Sequence, residues 1–235
     1  MKLKDSIALV TGAGRGIGRA IALMLASEGA RVLLTARSEP ELEATERDIR
    51  AHGGEAECLQ GDLTDDAWID EMFGIVERRY GKLGILVNNA GIGRFAPVRA
   101  LSFADLDDMW RLNFRAQFAC CQRAIPLLEK NKGGVIVNVS SLAGKNAFVG
   151  GAGYAATKWA LLGFSRCLML EERDKNIRVV TVSPGSVDTA FSSNRNPAKA
   201  SRILTPDDVA DAIRMAVIMP ERAMVSEIDI RPTRP

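Results

Sequence analysis

Short apolar, β-branched runs alternate along the chain with longer stretches whose apolar positions fall at helical spacing. The runs predict strands at Ile7–Thr11, Arg31–Ala36, Glu55–Gln60, Leu83–Asn88, Val135–Ser140, Ile177–Ser183 and Val225–Ile230. The stretches between them predict helices at Ile17–Glu28, Glu39–Ala51, Thr64–Tyr80, Phe103–Glu129, Tyr154–Arg173 and Pro206–Met219. Near-continuous apolar strands alternating with helices imply a parallel sheet covered on both faces. The punctuation agrees: Gly29 and Gly81 follow helices, and Thr64 and Thr205 stand where N-caps are expected. With no internal repeat, low-complexity segment or linker, residues 1–235 read as a single doubly wound α/β domain. Its sheet should be seven-stranded and parallel, with helices on both faces.

Composition narrows the function. The chain has 235 residues, 47% of them hydrophobic and 26% charged, which fits one globular domain. Lys plus Arg number 31 against 29 Asp plus Glu, so the net charge is only +2 and no basic stripe suggests a nucleic-acid partner. No apolar run is long enough for a signal peptide or a membrane span, so a soluble, cytoplasmic protein is expected. Cys58, Cys120, Cys121 and Cys167 form no C-x-x-C pair and read as buried free thiols in a reducing compartment. The single histidine, His52, follows a helix beside Gly53 and Gly54, which disfavours a multi-histidine metal site and a Ser-His-Asp triad. No metal is expected.

In a doubly wound sheet, ligands bind beyond the carboxyl ends of the strands. The chemistry therefore belongs to the segments that follow them. After the first strand comes Thr11-Gly12-Ala13-Gly14-Arg15-Gly16-Ile17-Gly18 and then a helix. Glycines allow a tight turn and close approach to a pyrophosphate, and the helix N-terminus favours its charge. The spacing is T-G-x-x-x-G-x-G, neither G-x-G-x-x-G nor a P-loop. Alone it would also suit a plain tight connection.

Asn88-Asn89-Ala90-Gly91 follows the fourth strand, Ser141 follows the fifth, and Pro184-Gly185 follows the sixth. Tyr154-Ala-Ala-Thr-Lys158 opens a later helix. With the glycine turn, these motifs resemble the short-chain dehydrogenase/reductase family from about Ile7 to Thr189. The resemblance implies a Rossmann-type fold and reversible hydride transfer between a nicotinamide cofactor and a carbonyl or secondary alcohol. It also implies a catalytic set of Asn113, Ser141, Tyr154 and Lys158. Tyr154 and Lys158 stand four apart, about 6 Å along one helix face. A free phenol, with pKa about 10, is a poor base at neutral pH. A neighbouring ammonium lowering it by about three units would supply roughly 4 kcal/mol. Ser141 is expected to polarise the substrate oxygen, with Ser140 read as a turn or cap. Asn113 is expected to support a proton relay, the alternative being a polar residue satisfied within a helix interface.

By the same resemblance, Gly12, Gly14, Arg15, Gly16, Ile17 and Gly18 hold the pyrophosphate. Asp62 and Leu63 contact adenine, and Asn89, Ala90 and Gly91 lie under a ribose. Pro184, Gly185, Val187 and Thr189 run along the nicotinamide, which Tyr154 and Lys158 also contact. Where an NAD-binding acid would end the second strand, this chain has Ala36, followed by Arg37. With Arg15 this favours a 2′-phosphate and hence NADP(H). Substrate choice falls to 92–100, 142–153 and a lid at about 186–204. Phe95, Leu142, Phe148, Val149 and Phe191 stand there beside Arg94, Arg99, Lys145, Arg195 and Lys199. That mix suits a hydrophobic ketone, a sugar-like carbonyl or a carrier-bound acyl group. The ending Ile228-Asp-Ile-Arg-Pro232 departs from oxoacyl-carrier reductases, which usually end near Val-Asp-Gly-Gly. A cofactor-binding sensor or scaffold with little turnover is the non-enzyme alternative. The apolar circumference of the two longest helices, with Phe114, Phe118, Trp159, Leu162 and Phe164, predicts a homodimer or homotetramer.

Overall fold

The computed structural model describes residues 3–191 and 202–233. Its strands are β1 (Ile7–Thr11), β2 (Arg31–Ala36), β3 (Glu55–Gln60), β4 (Ile85–Asn88), β5 (Gly134–Val139), β6 (Ile177–Pro184) and β7 (Glu227–Ile230). They form one sheet in the order β3-β2-β1-β4-β5-β6-β7, with every pairing parallel. Strand order reverses between β1 and β4, and that is where a doubly wound sheet opens its ligand crevice.

Both faces of the sheet are covered, as the unbroken apolar strands require. The helices are α1 (Gly16–Ser27), α2 (Glu39–Ala51), α3 (Asp66–Tyr80), α4 (Phe103–Trp110), α5 (Ala116–Lys130), α6 (Ala152–Glu172) and α7 (Pro206–Ile218). Alternation along β1 sends Ala8 and Val10 to one core, with Ile21 and Leu25 of α1 and Ile213 of α7. It sends Ile7 and Leu9 to the other, with Met72 of α3, Leu128 of α5 and Leu168 of α6.

Several boundaries differ from the sequence expectation for local reasons. The strand predicted from Leu83 starts at Ile85, because the Leu83 N–H donates to Leu127 at the end of α5. Thr64 does not cap α3: Asp65 does, accepting from the Ala67 N–H, while Thr64 donates to Asp62. Thr205 caps α7 in a reciprocal box with Asp208. The continuous helix expected at Phe103–Glu129 is broken by a π turn at Arg111–Arg115, with Asn113 at its centre. The thiols also differ from expectation. Cys120 and Cys121 are buried, but Cys58 is half-buried and Cys167 is exposed. Among the described residues, no helix is long and apolar enough to cross a membrane.

Candidate functional site

The glycine turn lies at the reversal point, clamped from β4. Thr11 Oγ1 accepts from the backbone N–H groups of Asn89 and Ala90, and Asn89 Nδ2 donates to the Thr11 and Gly12 carbonyls at 3.0 and 3.3 Å. Gly12 and Gly16 adopt φ of +64° and +55°, which L side chains rarely do. A Cβ on Gly18 would stand 2.1 Å from the Gly12 carbonyl oxygen, so only glycine lets α1 start this close to the turn. Arg15, at the N-cap of α1, makes no side-chain cap, and the first turn holds no acid. The N-terminus of α1 is thus open toward the crevice, an arrangement that suits a pyrophosphate. Thr189 reaches the same place from beyond β6, where its Cγ2 would be 3.3 Å from a Cβ on Gly16. Gly185 is fixed by its N–H to the Ile230 carbonyl, and Val187 packs on the core.

One strand away, four side chains from three segments converge. The π turn aims Asn113 inward, where it is fully buried. Its Oδ1 accepts from the Ile92 N–H and its Nδ2 donates to the Ile92 carbonyl, both at 2.8 Å. Nδ2 also donates to Thr157 Oγ1 at 3.1 Å, and Thr157 donates to the Tyr154 carbonyl at 2.8 Å. A π turn that displaces one residue from the helical ladder often marks such a site. Lys158, on the same face of α6 as Tyr154, is buried and donates from Nζ to the Val139 carbonyl at 2.9 Å. Nζ lies 5.8 Å from the centre of the Tyr154 ring. Ser141 begins a short 3-10 turn at Leu142–Gly144, accepting from the Ala143 N–H. Ser141 is therefore the capping serine, whereas Ser140, read as the cap, donates instead to the Lys158 carbonyl and ties β5 to α6.

The electrostatics differ from the expected lowered tyrosine. Burial pushes the Tyr154 phenol up to about 12, with a hydrogen bond to Ser141 pulling the other way. Burial also pushes the Lys158 ammonium down to about 8. The lysine donates to a backbone carbonyl and not to the phenol, so desolvation dominates both groups. At neutral pH Tyr154 carries its proton.

The model of the short chain dehydrogenase family matches residues 6–200. The chain belongs to that family. An uncharacterised oxidoreductase of Staphylococcus aureus is 32% identical over 230 residues, 98% of each chain. A metagenomic short-chain oxidoreductase solved in complex with NADP is 38% identical, with a TM-score of 0.88 over all of both chains. A 7α-hydroxysteroid dehydrogenase complexed with NADH and 7-oxo glycochenodeoxycholic acid is 29% identical. Its TM-score is 0.92, covering 99% of this chain and 95% of that one.

For a short-chain dehydrogenase, the other expected positions divide clearly. Arg37 is exposed just beyond β2, and Arg15 is exposed and pairs with Glu41 of α2 at 3.3 Å. Glu41 is an acid that the strand-end comparison overlooked, because it reaches the turn from α2. Asp62 Oδ1 is occupied by the Thr64 N–H and hydroxyl, and the Leu63 side chain is buried in the α3-side core. Ala90 accepts from Gln117 Nε2. A Cβ on Gly91 would crowd Asn113 Oδ1 at 3.2 Å and stand 3.7 Å from Lys158 Nζ. Leu162 is buried and takes no part in the outer aromatic face.

Lys145, read as a cation for an anionic substrate, is already engaged. Its Nζ donates to Glu227 at 2.7 Å and Asp229 at 2.8 Å, and Arg166 of α6 donates to the same Glu227 at 2.7 Å. These two cations hold the Glu227 carboxyl at about 2. The network braces the segment after Ser141 against α6 and β7. Most of the expected lid, with Arg195 and Lys199, lies outside the described residues. Its two bases are joined: the Asp188 N–H donates to the Leu204 carbonyl, and the Leu204 N–H to Ser186.

Proposed function

We propose that this short-chain dehydrogenase is an NADP(H)-dependent oxidoreductase that interconverts a carbonyl and a secondary alcohol. The observation that carries the reading is the buried Tyr154 on the ligand side of the sheet, with the Lys158 ammonium 5.8 Å from its ring centre and Ser141 at the start of the adjoining turn. The glycine turn and the open N-terminus of α1 would hold the pyrophosphate. The backbone from Asn89 to Gly91 and from Pro184 to Thr189 would border the ribose and nicotinamide. When bound, the cofactor supplies or accepts the hydride. Tyr154, protonated at neutral pH, donates its phenolic proton to the substrate oxygen during reduction, and Ser141 holds that oxygen in place. Lys158, lowered to about 8, stands ready to return a proton toward the phenol. Asn113 anchors the Ile92 backbone and Thr157 beneath this set.

The two nicotinamide forms are both found among similar folds, so the choice rests on this chain's own residues. The NADP held by the metagenomic relative supports NADP(H), as do Ala36 in place of an acid and the adjacent Arg37. Four free cysteines suit a reducing, cytoplasmic setting. A homodimer or homotetramer is supported by the outer face of α4–α6. Trp110, Phe114, Phe118 and Phe164 stack there with centroids 5.1–6.5 Å apart, and Phe118 and Trp159 are about half exposed.

The test is loss of NADPH absorbance with a panel of ketones, aldehydes and oxoacyl thioesters, run beside Tyr154→Phe. Turnover that vanishes in the variant, with NADPH binding kept, supports the reading. NADPH binding without turnover of any carbonyl would favour a cofactor sensor.

A further inference from the structure

Three phenylalanines from three different post-strand loops form a wall at Tyr154, two against its ring and the third behind one of them. Phe95, after β4, packs edge-on to the Tyr154 ring with centroids 5.4 Å apart and planes at 73°. Phe148, after β5, packs on Phe95 at 5.9 Å. Phe191, after β6, lies 5.8 Å from Tyr154 on a tilted plane. Tyr154 is buried, yet each phenylalanine is left 44–48% exposed. Large apolar rings on surface loops are ordinarily buried or replaced by polar residues. Here they stand half-open beside the reactive hydroxyl.

The backbone is shaped to admit them. A Cβ on Gly93 would come within 2.6 Å of Phe95 Cζ and 2.9 Å of Phe191 Cε1. A Cβ on Gly151 would come within 2.3 Å of Phe148 Cζ. The Ala96 N–H donates to the Gly150 carbonyl at 3.0 Å, which joins the loops of Phe95 and Phe148. Of the cations flanking these loops among the described residues, Arg94 pairs with Asp105 at 3.4 Å and Lys145 with Glu227 and Asp229, while Arg99 is exposed. What this wall offers a substrate is aromatic surface.

Resting on the proposed carbonyl chemistry, we infer that the substrate is an uncharged ring-bearing carbonyl, of the aryl or fused-ring ketone class. Its ring would stack among Phe95, Phe148 and Phe191 while its oxygen reaches Tyr154. Aromatic rings favour flat apolar partners in offset or edge-to-face contact. A small polyhydroxylated carbonyl would bury its hydroxyls here without partners. An anionic carrier-linked acyl group would meet Lys145 already held by two carboxylates and Arg94 by one, leaving Arg99 as the exposed cation of these described loops.

The experiment compares 1-tetralone with 2-butanone and dihydroxyacetone in wild type, Phe95→Ala, Phe148→Ala and Phe191→Ala. It measures kcat/KM with NADPH, and binding of 1-tetralone by saturation-transfer NMR in the presence of NADP+. The expected result is at least tenfold higher kcat/KM for 1-tetralone than for either small carbonyl. Each alanine variant should lose fivefold or more for 1-tetralone, mainly in KM, and lose less for 2-butanone, so that the preference between the two ketones falls. Reduction of dihydroxyacetone or 2-butanone at equal or better efficiency overturns the inference and leaves the carbonyl chemistry standing. Tetralone that binds wild type but not the alanine variants, with no carbonyl reduced, supports the aromatic site and overturns the carbonyl chemistry. Absence of both binding and turnover overturns the inference. NADPH binding measured separately, by fluorescence, then tells whether the cofactor reading falls too.

Discussion

Arg15 Nη1 lies 3.3 Å from Glu41 Oε1, across the rim of the glycine turn. Both side chains are open to solvent, at 69% and 39%, so the pair contributes little by itself. It matters because Arg15 would have to leave Glu41 to meet a 2′-phosphate. Glu41→Gln should tighten NADPH by about threefold, under 1 kcal/mol, and leave NADH unchanged. Titration of both cofactors checks this. An equal gain for NADH would place Arg15 away from the phosphate.

Arg37 is the second arginine proposed for the same choice. NADPH should bind at least about tenfold tighter than NADH, a difference of about 1.4 kcal/mol, and the ratio should shrink as salt is added. Ala36→Asp with Arg37→Ala should reverse the order, because the acid accepts the 2′-hydroxyl and repels the phosphate. An unchanged ratio in this double variant would refute the assignment.

Tyr154→Phe should keep the fold and NADPH binding and lose more than about a hundredfold in rate, the range expected for a proton donor. Thr157→Val should act more gently, since Thr157 joins Asn113 to the Tyr154 backbone without reaching the oxygen. A loss of about tenfold in kcat with KM for NADPH unchanged is expected. Steady-state kinetics separates the two.

Lys158 predicts a pH signature of stability. Its folded value of about 8 lies below the ordinary 10.5, so between these values the unfolded chain binds more protons and stability rises with pH. Burying the charge costs the native state about 3 kcal/mol at neutral pH, relieved across that window. Lys158→Met should abolish the rise. Urea midpoints at pH 7.5 and 10 would show it, and a parallel slope in both proteins would contradict the burial effect.

Glu227 predicts the opposite edge. Held at about 2 by Arg166 and Lys145, it stabilises the fold fully above the ordinary carboxyl value of 4.5. That contribution is lost as pH falls toward 2. Glu227→Gln should cost about 1–2 kcal/mol at pH 7, allowing for solvent screening, and only a small part of that at pH 2. Thermal melts across that range measure it.

Phe118→Glu with Trp159→Glu should convert a homo-oligomer to a monomer near 25 kDa by light scattering. Two charges on these exposed rings would oppose the burial of the face. A wild type that is already monomeric at micromolar concentration would refute the oligomer.

The strands and the sheet's two-faced burial were legible because hydrophobic periodicity is a local signal with a direct structural meaning. Val135, Val137 and Val139 against Ile136 show it at β5. The grouping of Asn113, Tyr154 and Lys158 was legible through motif order, whereas Thr157, on the same helix face three residues after Tyr154, carried no signal of its own. What stayed hidden depends on long-range geometry. Lys145 finds Glu227 across 82 residues, and Arg15 finds Glu41 across 26. Neither pairing leaves a trace in spacing. The raised Tyr154 was hidden for a related reason, since proximity of a lysine in sequence says nothing about which oxygen its ammonium chooses.

A π turn takes up one residue more than the α-helix on either side, and one residue is worth about 100° of rotation. The stretch Arg111–Arg115 thus sets the phase between α4 and α5. It lets Asn113 face the Ile92 backbone while Trp110 and Phe114 meet edge to face on the outside at 5.7 Å. Deleting Leu112 would close the helix into continuous α form and turn one half against the other. Either the inner amide or the outer rings would then lose their partners. In this stretch the count of residues matters as much as their identity, and a chain one residue shorter would have to choose between its interior and its surface.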